Sequence, residues 1–150
     1  MSNLIVKDLV CLNLKASDKI DAIKKLAKLI EKQGRLESYD EYVQSVLDRE
    51  NEFSTNMGMG IAIPHGKSAS VKVPTVAFAK VKKEMDWGEG DDPINMIFLL
   101  AVPGTDESNA NEHLRILAAL SRKLIHDEFR TSLLKAKNAN TIVEIISSVL

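Results

Sequence analysis

Gly58-Met59-Gly60-Ile61-Ala62-Ile63-Pro64-His65-Gly66-Lys67 is the stretch around which the chain is organised. Two glycines lead into three apolar residues, and a proline then stops the strand and fixes the backbone just ahead of a histidine. Gly66 clears space behind that histidine. Glycines in such a loop also let backbone N–H groups approach a bound anion. This is the grammar of an imidazole delivered at the end of a short buried strand and aimed at something.

Upstream, Asp8 to Leu14 alternates Val10, Leu12 and Leu14 with polar or small neighbours, which predicts a strand. Ser17 or Asp18 caps a helix in which Ile20, Ile23, Ala27 and Ile30 recur at helical spacing, and Gly34 ends it. Ser38 and Glu41 are spaced as a capping box for a second helix running to about Glu50, with Val43, Val46 and Leu47 inward. Arg49 lies in its last turn. Two readings of Arg49 stand side by side: a favourable charge at the negative end of the helix dipole, or a guanidinium handed to the loop Asn51 to Gly60 that leads to His65.

Downstream, Ile61 to Ile63 and Thr75 to Val81 read as strands. An acidic turn around Gly88-Glu89-Gly90 follows, with Trp87 at its entrance as a core plug. Ile94 to Val102 is almost unbroken apolar sequence, the mark of a central strand covered on both faces, and Pro103-Gly104 terminates it. Ser108 or Asn109 can cap the next helix, whose stripe is His113, Leu117, Leu120 and Leu124. That places His113 in a first helical turn, either as the end of a core stripe or as a hydrogen-bonding neighbour of His65. Two shorter helices close the chain, one near Asp127 to Lys135 and one opened by Thr141 and Glu144. The pattern predicts an α/β layered domain spanning 1–150, a mixed sheet flanked by helices on both sides.

Composition narrows the function classes. At 150 residues one core can bury roughly 70% of the surface the unfolded chain exposes. The single Cys11 excludes an internal disulfide framework and reads as a small core residue. A net charge of -1 argues against bulk attraction to nucleic acid or anionic membrane. No run approaches the ~18 apolar residues of a membrane span and no leader pattern opens the chain, so a cytoplasmic protein is expected. Locally, Ser54 to Lys83 holds five lysines and no acid, which predicts an anion-favouring field around His65; Glu84 to Asp92 holds five acids and no base. Both segments are either solvated surface or docking faces.

Several chemistries drop out. Gly60 to Ser68 imitates a P-loop, but five residues separate Gly60 from Gly66-Lys67-Ser68 where the motif needs four, and they form a strand. Ser68 and Ser70 lack the glycine pattern of a nucleophile elbow. His65, His113 and His126 are 48 and 13 residues apart, no metal-ligand spacing, and His126 reads as a surface residue at a helix junction. Histidine as the reacting group remains. A neutral imidazole is a nucleophile that needs no base, and phosphoryl transfer asks mainly for positioning and for cationic or N–H stabilisation of the phosphoryl oxygens.

Ser54-Thr55-x-x-Gly58-x-Gly60-Ile61-Ala62-Ile63-Pro64-His65-Gly66, preceded by Arg49-Glu50 and followed by Leu99-Leu100-Ala101-Val102-Pro103 and by His113 in its helix, resembles the fructose/mannitol-type EIIA component of the sugar phosphotransferase system. The likeness spans nearly the whole chain. It implies that His65 accepts a phosphoryl group from the histidine-phosphorylated carrier HPr and passes it to a cysteine of an EIIB component, with Arg49 and His113 as supporting charge and hydrogen-bond donor. It also implies a mixed sheet between helices, a reacting histidine in a shallow exposed depression, and no nucleotide, metal or other cofactor. Cys11 lacks the proline-containing loop of an EIIB, so a free-standing EIIA is expected. Nitrogen-regulatory relatives share the Pro-His motif but signal by binding partners, and the motif does not separate the two roles. Of the ring nitrogens, Nε2 is expected to react because it projects farthest from the backbone.

Overall fold

The structure, a computed structural model, describes residues 4–88, 92–104 and 107–150, with the backbone alone for 107–113. Asp18 accepts a hydrogen bond from the Asp21 amide (2.8 Å) and opens α1, Lys19–Lys32. Ser38 does the same for α2, Tyr39–Glu52, accepting from the Glu41 amide at 3.2 Å. Ile23, Leu26 and Ile30 form the buried seam of α1, while Ile20 is exposed. At 100° per residue Ile20 falls about a quarter turn off that seam, which is why its spacing misleads.

The strands are β1 (Val10–Leu14), β2 (Ile61–Ala62), β3 (His65–Ser68), β4 (Thr75–Met85) and β5 (Ile94–Pro103). Asp8 and Leu9, expected to start the first strand, instead belong to a 3-10 turn, Lys7–Leu9, that swings Leu9 into the core. The sheet order is β1-β4-β5-β2, with β3 also on β5; β4 runs antiparallel to β5 and the other pairings are parallel. β5 is thus the central strand, buried on both faces apart from Asn95, and helices flank the mixed sheet on both sides. Phe78 and Phe98, opposite one another on β4 and β5, meet edge to face at 5.0 Å, a favoured aromatic geometry. The acidic connection at Glu89 and Gly90 lies outside the described residues; the two strands it joins pair as a hairpin would.

β2 and β3 are one strand interrupted at Pro64. The partner on β5 lies 35 positions downstream on both sides of the break, Ile61 with Met96 and His65 with Leu100. His65 therefore begins a strand instead of ending one. Proline lacks an N–H, so it interrupts the ladder, and it is tolerated because this strand is the sheet's edge.

Of the C-terminal helices, α3 spans Glu107–Leu124, α4 Asp127–Lys135 and α5 Ala139–Ser147. α3 starts ahead of Ser108, so both expected caps lie inside its first turn and His113, its seventh residue, lies in the second. The cap of α5 is Asn138, whose side chain accepts from the Thr141 amide at 2.9 Å, and not Thr141 itself; asparagine caps at least as well as threonine.

α2 packs directly on β3 at Gly66. A Cβ there would come within 2.8 Å of Val46 Cγ2 and also clash with Ser45 Oγ. Gly66→Ala should therefore lower stability by about 1–3 kcal/mol through overpacking, read as a lower urea midpoint with an unchanged slope.

Candidate functional site

Pro64 builds the site. At the strand break the Ile63 carbonyl faces the His65 ring, with Nδ1 2.9 Å away. A carbonyl oxygen can only accept, so Nδ1 carries the proton and the neutral ring has its lone pair on Nε2. The other side of the break is tied to the central strand: the Leu100 amide donates to the Pro64 carbonyl (3.0 Å) and the buried Tyr42 hydroxyl donates to the Leu100 carbonyl (2.6 Å).

The loop from α2 runs along the outer edge of β2. The Ile63 amide donates to the Thr55 carbonyl (3.0 Å) and the Met57 amide to the Ile61 carbonyl (2.9 Å). Gly58, Met59 and Gly60 then turn back into β2 with φ of 83°, 61° and 80°. That left-handed path suits glycine at its two ends, and the Gly60 carbonyl is held by the amides of Asn95 (2.7 Å) and Met96 (3.1 Å). The glycines thus shape the turn that carries the histidine strand.

His65 lines a cleft of about 200 Å³ together with Arg49, Ser54, Thr55, Leu117 and Ser121. The Arg49 guanidinium donates to the Phe53 carbonyl at 3.0 Å and lies 5.8 Å from the exposed Phe53 ring. Arg49 thus ties its own helix end to the loop that follows and also lines the cleft of His65. His113 is on α3 one turn before Leu117 and two before Ser121, both of which line the cleft; its side chain lies outside the described residues. No lysine is among the described residues that line this cleft. Lys80 caps the far end of α4, donating to the carbonyls of Leu134 (3.0 Å) and Ala136 (2.6 Å), and among the described lining residues the cation is Arg49.

Exposure departs from expectation. His65 is only 7% exposed and forms a floor instead of a projecting tip: on β3 it lies on the face opposite Gly66, which meets α2, and it sits beside Leu117 and Ser121 of α3 and the loop after α2. Burial pushes its pKa below the ordinary value; the Ile63 hydrogen bond opposes this, the Arg49 charge adds to it and the Glu50 charge opposes it. A ring kept neutral keeps its nucleophilic lone pair.

Glu50 is the residue the sequence reading passed over. Buried with 4% exposure, it accepts from the Thr55 amide (3.1 Å), the Thr55 hydroxyl and the Trp87 indole N–H (3.2 Å), and its Oε2 lies 3.8 Å from Lys19 Nζ. Its signal was available: it falls four residues after Val46, on the inward stripe of α2, where a carboxylate needs donors. Trp87 is the core plug expected, 1% exposed, and also one of those donors. Cys11 is half-buried and packs against the core. Among the described residues no group of three or more His, Cys, Asp or Glu is placed to hold a metal.

Known proteins carry the same fold. The family model "Phosphoenolpyruvate-dependent sugar phosphotransferase system, EIIA 2" matches residues 3–149. The chain is 35% identical over 150 residues to the PTS system fructose-specific EIIA component of Haloferax volcanii, covering 99% of this chain and 96% of that protein. It is 35% identical over 148 residues to the fructose-specific EIIABC component of Bacillus subtilis, where it covers 98% of itself but 23% of the longer protein. Among solved structures, nitrogen regulatory protein IIA-Ntr from Neisseria meningitidis superposes with a TM-score of 0.84 at 28% identity, covering 95% of this chain and 96% of that one. The chain therefore belongs to the EIIA type-2 family of the phosphoenolpyruvate-dependent sugar phosphotransferase system.

The lowered pKa of His65 has a measurable consequence. As pH falls the unfolded chain takes up the proton first, so this ring's contribution to stability is complete above about pH 6.5 and is lost as pH drops through the lower folded value. Between about pH 7.5 and about pH 5, thermal melts should show the parent losing more Tm than His65→Gln. Ring NMR of the parent should titrate below the ordinary histidine midpoint.

Proposed function

We propose that the protein is a cytoplasmic phosphocarrier, residues 1–150 acting as one EIIA domain that takes a phosphoryl group from phospho-HPr on His65 and gives it to a cysteine of a cognate EIIB during sugar uptake. The observation that carries this reading is the neutral His65 ring, pinned through Nδ1–H to the Ile63 carbonyl in a cleft shared with Arg49. Family membership supplies the class of chemistry, and the fructose-specific relatives supply the sugar-uptake context.

In the first step Nε2 of His65 attacks the phosphorus, an N–P bond forms, and the N–P bond to the donor imidazole breaks with its electron pair returning to the donor. The Nδ1 proton stays on the ring throughout, held by the Ile63 carbonyl. In the second step the EIIB thiolate attacks, an S–P bond forms, and the pair returns to Nε2. Arg49 offsets the charge of the phosphoryl oxygens during both transfers. His113 is the proposed second hydrogen-bond donor, from the helix that supplies Leu117 and Ser121 to the cleft. A recess of about 200 Å³ is smaller than the roughly 300–1,000 Å³ of small-molecule sites. It suits a phosphoryl group carried on another protein's side chain.

A second reading is favoured by the likeness to the nitrogen regulatory protein. There the same phosphorylation of His65 would set which partner is bound. The two readings differ in the fate of the phosphoryl group. Rapid discharge onto a purified EIIB supports the carrier; a phosphorylated form that persists beside EIIB and changes binding to a non-transport partner supports the regulator.

Incubation with phosphoenolpyruvate, enzyme I and HPr should add one acid-labile phosphoryl group, seen by intact mass, and His65→Ala should abolish it. Labelling that survived this substitution would place the acceptor elsewhere. Arg49→Gln should slow transfer on the order of 100-fold with Tm nearly unchanged, and a collapse of Tm would make Arg49 a structural residue only.

A further inference from the structure

Glu50 stands behind the cleft, its side chain 1% exposed. Three donors converge on it, the amide and hydroxyl of Thr55 and the indole N–H of Trp87, with Lys19 facing the same oxygen as Trp87. Its anchors come from independent parts of the fold: Lys19 from the start of α1, Trp87 from the segment after β4. The carboxylate is therefore fixed by the frame, and Thr55 is hung from it.

From Thr55 a continuous path leads to the imidazole. The Thr55 carbonyl accepts the Ile63 amide at 3.0 Å, and the Ile63 carbonyl accepts Nδ1–H of His65 at 2.9 Å. We infer that Glu50 is a positioning residue for the reaction at His65: by clamping Thr55 it holds the Ile63 carbonyl where it fixes the ring's tautomer and aims Nε2 into the cleft. The same turn of α2 sends Arg49 into the cleft and Glu50 beneath its loop, so one helix end sets both the charge and the nucleophile. An acceptor is needed here that takes several donors at once, which the two oxygens of a carboxyl provide. A glutamine keeps one oxygen for the two N–H groups and turns an N–H toward the Thr55 hydroxyl, which can reverse its role. This inference rests on the reading of His65 as phosphoryl acceptor, and its test separates the two.

The experiment compares the parent with Glu50→Ala, Glu50→Gln and Thr55→Val in two measurements. Long-range proton–nitrogen NMR of the unphosphorylated protein reports the His65 tautomer and needs no phosphoryl transfer. Steady-state transfer from phospho-HPr reports kcat and KM. Glu50→Ala should shift the ring from Nδ1–H toward a mixture with Nε2–H and lower kcat about 10- to 100-fold with KM for phospho-HPr little changed, the cost of a misaimed nucleophile. Glu50→Gln should restore both. A folded Glu50→Ala with parental tautomer and kcat overturns the inference, as does a Glu50→Gln that loses as much as Glu50→Ala. If Glu50→Ala does not fold, Thr55→Val decides: a tautomer shift supports the inference and its absence overturns it. If the parent takes no phosphoryl group, the functional reading fails, and the tautomer comparison still tells whether Glu50 positions the ring.

Discussion

The contact between Nδ1 of His65 and the carbonyl of Ile63 spans one residue, and that residue is proline. Because Pro64 has no N–H and a fixed φ, the strand must break its ladder there, and the carbonyl that would have paired along the edge is left to meet the ring. The register on β5 is the same before and after the break, so the histidine is not displaced from the sheet. The imidazole inherits the rigidity of the central strand while one of its nitrogens is taken out of competition. One tautomer and a lone pair on Nε2 follow from that contact, while burial, which outweighs it, keeps the ring neutral.

Covering supports this arrangement. α2 approaches β3 so closely that only Gly66 fits between them, and on the opposite face burial beside Leu117 and Ser121 keeps the proton off the ring. An exposed histidine would be protonated more of the time near neutral pH and would lose its lone pair with each proton. The cleft is small and opens beside an exposed Phe53. That geometry admits a side chain presented by another protein more readily than it encloses a free metabolite.

Much of this was legible in the residues. The apolar run from Ile94 announced the central strand, and Ser38 and Asp18 announced their helices, because strand burial and N-capping are local rules. Pro64 marked the break in the edge strand for the same reason, because a residue without an N–H interrupts a ladder wherever it stands. What escaped depends on distant contacts. That β2 and β3 are one strand is a property of their shared partner β5. The burial of His65 needs α3 and the loop after α2 brought around it. Glu50 looked like one more charge at a helix end until Trp87, 37 residues away, and Lys19 came to its carboxylate. Of the lysines between Lys67 and Lys83, strand direction sends Lys80 to the end of α4. Where side chains point across a sheet is set by pairing, which the linear order does not display.

Attachment of the phosphorus is the most direct test. Protein labelled with nitrogen-15 in histidine and phosphorylated by phospho-HPr should show phosphorus coupled to Nε2 of His65, with the proton still on Nδ1. Coupling to Nδ1, or to another residue, would contradict the account, since it would mean that the Ile63 carbonyl does not hold that nitrogen during the reaction.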